Sequence, residues 1–569
     1  MIRPTPAIVA QSAVRRLPRL ALILLCMAYV LPGYFGREPW KNADITAFGY
    51  MLELSGTAVG PAWLAPTIMN LEPEVDALLP YWLGAWAIKL APAWLAPDFA
   101  ARLPFGLMLV AVLVATWYGI YNLARSEGAQ PVAFAFGGEA EPADYARAMA
   151  DGGLLGLIGC LGLAQLSHET TPALAQLCFT ALTFYGLSAL HRSPALPLVA
   201  VGAGLVGLTL SGGPAVAALL GAGGALYNVV DRDPASADER RPLWRFGAVL
   251  LSTAIAAALA TVLDLWQWRI QPPGIAWREW RGLGRLFLWF TWPLWPLLLW
   301  TLWRWRHQLR DLPSNRHLAL PLLFLAVAVA TTLLTPASDR SLLLALPALA
   351  TLAAFALPTL DRSVTALIDW FTLLFFSCFA IIIWVIWISM QTGIPRQPAA
   401  NVAKLAPGFE PGLQGLAFAV ALAGTLAWIW LVRWRVGRHR SAIWKSMVLP
   451  AGGATLCWLL LMTLWLPVLD YARSYAPMVQ RILVLTNRPA CVQVHGLGRG
   501  PIVALRFHGQ LDTRPAARQA ECPWLLVDAA DAPTLAKSVD TAQWTYQARV
   551  RRPTDRTETI LLYRRVAAP

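Results

Sequence analysis

The sequence predicts a polytopic α-helical membrane protein that ends in a small α/β domain outside the bilayer. Three observations carry this expectation. Hydrophobic residues make up 57% of the chain against 14% charged, far from the balance of a soluble protein, which must keep its surface polar. Apolar stretches of spanning length recur from Leu20 to Val468 with short charged loops between them. Beyond Asp470 those stretches stop and short β-type runs replace them.

The first apolar segment follows Arg15, Arg16 and Arg19. No small-residue cleavage site comes after it and many further apolar segments do, so it reads as a retained helix. The expected spans cover approximately 18–35, 103–124, 153–167, 171–190, 195–211, 213–230, 245–266, 284–303, 317–335, 340–358, 366–390, 413–432 and 447–468. About thirteen spans place the two termini on opposite sides. Most basic residues ahead of the tail, among them Arg125, Arg304, Arg306, Arg316, Arg433 and Arg435, fall on the N-terminal side, which the positive-inside rule makes cytoplasmic. The formal charge of +14 serves this topology, and nucleic acid is not expected as a partner. The organisation is then a membrane part, 1–475, whose first outer loop, 36–102, carries interfacial helices, and a C-terminal α/β domain, 476–569.

The first outer loop opens with charge at Arg37, Glu38, Lys41 and Asp44. Ile45, Phe48, Met51 and Leu52 follow at helical spacing with Asp44 at an N-cap position, which predicts a short amphipathic helix along the membrane surface. Asn at position 44 would keep the cap at little cost while losing the ability to accept a proton.

In the tail, 482–486, 491–496, 502–507, 524–528, 544–550 and 558–565 read as short strands, and 533–537 as part of a helix. Cys491 and Cys522 are the two cysteines of the tail; they can pair if it lies in an oxidising compartment and if they come within bonding distance. The other five lie in apolar segments as small buried hydrophobes.

No Walker loop, HExxH, CxxC or GxSxG occurs, which removes the usual soluble-enzyme readings. What remains is a set of polar residues on the outer face. Glu38, Lys41, Asp44, Glu74 and Asp76 come from the first loop, and His168 and Glu169 from the turn between two spans. Arg269, Arg278, Arg281 and Arg340 come from later outer segments. Acids beside a basic cluster at a membrane face suit a phosphate-bearing lipid.

The order of motifs resembles the membrane glycosyltransferases of the GT-C class, nearest the aminoarabinose transferase and protein O-mannosyltransferase group. It runs from Trp40-Lys41-Asn42-Ala43-Asp44 through Pro80-Tyr81-Trp82-Leu83 and His168-Glu169 to Gly207–Pro214 and Arg340–Ala348. Of the family's acidic pair only the second member, Asp44, is present, the first being Ala43 here, and the lysine before Gly213-Pro214 is Gly212. The resemblance implies a polyprenyl-phosphate-linked sugar donor and a lipid or glycan acceptor, met at the periplasmic face of a bacterial inner membrane, as in lipid A modification. It gives Asp44 the catalytic carboxylate and the other outer-face residues substrate binding, and leaves a divalent metal open as cofactor. The alternative it allows is a non-catalytic relative that binds isoprenoid lipid or scaffolds envelope assembly.

Overall fold

The computed structural model describes residues 5–231, 241–267, 270–335, 338–436, 442–555 and 558–566. Helices dominate up to Arg473, as a bilayer requires, because a helix satisfies its own backbone hydrogen bonds where water cannot. Six described helices are long and apolar enough to cross a membrane: Pro97–Ala124, Leu243–Val262, Arg316–Leu334, Arg362–Thr392, Gly415–Arg435 and Ile443–Leu461. Five further apolar helices have only 10–17 residues, so length alone does not reach thirteen.

Several expected spans are broken, and proline explains two of the breaks. Segment 284–303 is a pair of helices, Trp277–Phe290 and Leu294–Arg304, bent by 87° at Pro293, which has no N–H to continue the ladder. Segment 340–358 is interrupted after Leu343 and resumes at Leu346 with Pro347 in its first turn. Segment 153–167 belongs to a helix that starts at Pro142 and stops at Ile158. The first helix, Arg19–Val30, has 12 residues, about 18 Å, and the chain before it packs against 130–144 through Ala10, Gln11 and Arg16.

The predicted surface helix is present as Ala43–Gly56, but Asp44 sits in its first turn and Asn42 occupies the N-cap without a side-chain bond. Its apolar residues are not left to lipid. Ile45, Phe48 and Met51 are buried, and the C-terminal domain covers the helix: Phe48 meets Phe507 edge-on at 4.9 Å. A Cβ at Gly49 would lie 2.2 Å from Val503. Only glycine permits this close approach.

The tail folds as a five-stranded sheet in the order β2-β1-β3-β5-β4. β1 (Cys491–His495) runs parallel to β2 (Asp512–Pro515) and β3 (Trp524–Asp528). β5 (Thr559–Arg565) runs antiparallel to β3 and to β4 (Trp544–Arg551). Two expected strands are helices. Residues 482–486 end the helix Ala476–Thr486, and 502–507 lie in Arg499–Phe507, the crossover that joins parallel β1 and β2. Cys491 and Cys522 form a disulfide. Charged staples fix the domain to the membrane part: Lys41 to Asp555 and Arg506 to Glu53, both at 2.7 Å, and Arg499 to the Glu72 carbonyl at 2.7 Å.

Candidate functional site

Three pieces of chain meet at the end of the bundle that the C-terminal domain covers: the entry to the surface helix, the 167–171 turn and the short helix Ser338–Leu343. Asp44 is at their junction and is buried. Its Oδ1 accepts the Thr170 N–H and hydroxyl, each at 2.8 Å. Its Oδ2 accepts Arg37 Nη2 and the Trp40 N–H, each at 3.0 Å. Four donors fill the four lone-pair positions of a carboxylate. Burial works against the charged form, but Arg37, Arg102 and the two backbone N–H groups outweigh it and hold the Asp44 carboxyl below its usual range.

Arg37, with no exposed side-chain surface, is the hub. Its Nη2 also donates to the His168 carbonyl at 2.7 Å, and its guanidinium lies 4.7 Å from the centre of the Trp40 ring, which takes Arg473 at the same distance. Among the described residues, Nε and Nη1 of Arg37 have no hydrogen-bond partner. Trp40 Nε1 donates to Asp470 at 2.7 Å. Burial pushes the Asp470 carboxyl up to about 7 despite that bond.

Glu169 is the second acid of the centre. Arg340 Nη2 reaches its Oε2 at 3.1 Å and Gln165 its Oε1 at 3.3 Å. Burial and then the Asp44 charge raise its pKa, against Arg340 and Arg37. The Arg340 side chain is 31% exposed and its Nε has no partner among the described residues. Arg102 pairs with Asp98 at 3.0 Å. The centre thus holds Arg37, Arg102, Arg340 and Arg473 against Asp44, Glu169 and Asp470, a set able to bind an anion and to take up a proton.

The other expected site residues are distributed differently. His168 is fully buried: Nε2 faces the Tyr29 and Val30 carbonyls at 3.1 and 3.2 Å, and its ring packs on Trp458. Burial lowers its pKa to about 4, so it is a neutral staple between the turn and the first helix. Lys41 is committed to Asp555. Glu38 donates its backbone N–H to Asp470 at 3.4 Å. Glu74 pairs with Arg499 at 3.4 Å, and the Asp76 backbone lies under Gly212. Gly212 has φ +84°, and a Cβ there would be 2.7 Å from Val75, which explains why no lysine occupies that turn. Arg278 and Arg281 are exposed on Trp277–Phe290 and join no ion pair among the described residues. Arg269 lies outside the described residues. Glu74 also lines a cavity of about 250 Å³ between the domains, with Asn42, Thr46, Tyr475, Arg499 and Glu558.

Sequence reasoning missed Arg37, Arg102, Asp470 and Arg473 as parts of the centre. Arg102 carried a usable signal, a lone cation at the start of a long apolar helix, where ionisable groups are expensive and serve a purpose. The residues do not fit a divalent cation. Among those described no three His, Cys, Asp or Glu side chains converge, and Asp44 and Glu169 are each already paired with arginine.

No protein-family model and no curated protein matches the sequence. The fold is that of the GT-C membrane glycosyltransferases, the class the motifs resemble. In particular it matches ArnT from Cupriavidus metallidurans along both chains. Against ArnT bound to undecaprenyl phosphate the TM-score is 0.61 at 15% identity, covering 97% of this chain and 98% of ArnT. Against the apo state it is 0.58 at 14%, covering 96% and 98%. The arabinosyltransferase EmbB from Mycobacterium smegmatis gives 0.40 at 17%, over 81% of this chain and 42% of EmbB. At these identities the match carries the fold, and function has to be argued from the site.

Proposed function

We propose that the chain is an integral-membrane glycosyltransferase that moves a sugar from a polyprenyl-phosphate donor to a lipid or glycan hydroxyl at the periplasmic face of a bacterial inner membrane. The observation that carries the reading is the buried arginine–carboxylate centre, set at one end of a fold that matches ArnT from end to end. In this reading the N-terminus is cytoplasmic and the tail domain periplasmic.

The acceptor hydroxyl attacks the anomeric carbon, the carbon–oxygen bond to phosphate breaks, and the polyprenyl phosphate leaves with the bonding pair. Arg37 and Arg340, with N–H groups to spare, meet the charge that grows on that phosphate. The proton of the acceptor goes to Glu169. A general base works best when its pKa approaches the working pH, which favours Glu169, raised by burial, over Asp44, whose lone pairs are filled. Asp44 is assigned to holding Arg37 in place. This departs from the expectation that Asp44 is the base.

The test supplies purified protein with a polyprenyl-phosphate sugar and candidate acceptors and measures released polyprenyl phosphate. Release that needs an acceptor and is lost in Glu169→Gln supports the reading; no release with any donor and acceptor pair favours the non-catalytic alternative.

A further inference from the structure

Away from the charge centre, an apolar groove of about 600 Å³ runs between the first helix, Arg19–Val30, and Pro97–Ala124. Its direction follows from contacts already described. The Val30 carbonyl faces His168 at the end covered by the C-terminal domain, so Arg19 lies at the other end of the helix, about 18 Å away. Val110, Val114 and Tyr118 likewise lie beyond Arg102 toward the inner end of their helix. The walls are Leu22, Ile23, Met27, Val110, Leu113 and Val114, several of them exposed, as lipid-facing residues are.

The inner mouth is basic. Arg16, Arg19 and Arg147 border the groove against Asp144, which pairs with Arg16 at 3.4 Å and Arg147 at 2.9 Å, and Asp151, which accepts Trp117 Nε1 at 2.8 Å. Arg19 has no ion-pair partner among the described residues. The first helix starts here after Pro18 with no side-chain cap and no acid in its first turn. Its first N–H groups and its positive dipole end therefore point toward the same mouth as the arginines. Asp144 and Asp151, the latter also accepting the Leu17 N–H, answer two of the three arginines and leave the mouth with an excess of positive charge beside the helix end. An apolar channel of chain width, closed at headgroup depth by three arginines and a helix N-terminus, is the chemistry of an anionic glycerophospholipid.

We infer that this groove binds one anionic glycerophospholipid of the inner leaflet, with an acyl chain between the two helices and its phosphate at Arg16, Arg19 and the start of the first helix. The site lies toward the other end of the bundle from the proposed transfer centre; it rests on the orientation proposed above but not on the transfer chemistry.

The experiment is native mass spectrometry of the full-length protein in detergent, loaded with phosphatidylglycerol or with phosphatidylcholine of identical chains. Wild type is expected to retain phosphatidylglycerol at least about tenfold better, and Arg16→Gln/Arg19→Gln to bring the two lipids level, at about fivefold lost per arginine. Val114→Trp, which fills the groove from an exposed position, is expected to abolish retention of both. Equal retention of the two lipids by wild type overturns the inference, as does a preference that survives the double substitution or lipid that stays bound to Val114→Trp. An unchanged thermal melt for each variant establishes that a loss of lipid is not a loss of fold.

Discussion

Two sets of arginines expected on one face of the membrane differ in their surroundings. Arg278 and Arg281 are exposed on the amphipathic helix Trp277–Phe290 beside the exposed Trp277 and Trp280, an arrangement suited to a membrane surface. Arg37 and Arg102 are buried, Arg340 is two-thirds buried against Glu169, and Arg37 leaves two nitrogens unpartnered among the described residues. An exposed guanidinium costs little to place there. A buried one is tolerated only with a partner close by, and replacing either member of such a pair leaves an uncompensated charge. The same residue type on the same face therefore does different work according to its depth, and the buried set is the one to associate with chemistry.

The largest expected effect that separates the two sets is on rate. Glu169→Gln, which keeps the size and the bond to Arg340, is expected to lower transfer about 10² to 10⁴-fold, with Arg340→Gln at about 10² to 10³-fold; turnover by matched amounts of folded protein measures both. Next comes stability. Asp44→Asn turns an NH2 toward the donors Arg37 and Trp40 and leaves Arg37 buried without its counter-charge, so denaturation in detergent should show a loss of about 3–5 kcal/mol. The small cost expected for a cap residue does not apply, since Asp44 is not the cap. Wild-type stability in Asp44→Asn would mean the pair opens in solution.

A smaller effect is expected from pH. The Asp470 carboxyl lies at about 7 in the folded chain, above its unfolded value near 3.9. Between these limits the folded state binds the extra proton, so this residue's contribution to stability is fully present below about 4 and falls as pH rises to about 7, by at most about 1.4 kcal/mol per unit. Asp470→Asn should flatten that slope. The smallest effect belongs to the exposed set: Arg278→Gln and Arg281→Gln should each change stability by less than about 0.5 kcal/mol, and a change of several kcal/mol would erase the distinction of depth.

How much of this was legible in the sequence depended on the range of the interactions. The membrane class, the surface helix after Trp40 and strands β1, β3, β4 and β5 are written in local pattern. Residues 482–486 and 502–507 are mostly apolar runs of five and six residues, too short for periodicity to separate strand from helix. The centre was half legible. Asp44, Glu169 and Arg340 stood out as charges on one face, but the pairing of Arg37 with Asp44, and of Glu169 with Arg340 171 positions away, is decided by packing. Burial and pairing decided the rest: burial sets His168 apart as a staple, and the donors around Asp44 hold its carboxyl low while that of Glu169 is raised.

The central claim, that the arginines of the charge centre hold a lipid phosphate, is tested most directly by equilibrium binding of undecaprenyl phosphate and of uncharged undecaprenol to the purified protein. The account predicts that the phosphate binds much more tightly than the alcohol, that Arg340→Gln removes most of the difference, and that Arg278→Gln/Arg281→Gln leaves it intact. Equal binding of the two lipids, or a preference lost in the exposed double variant and kept in Arg340→Gln, would contradict it.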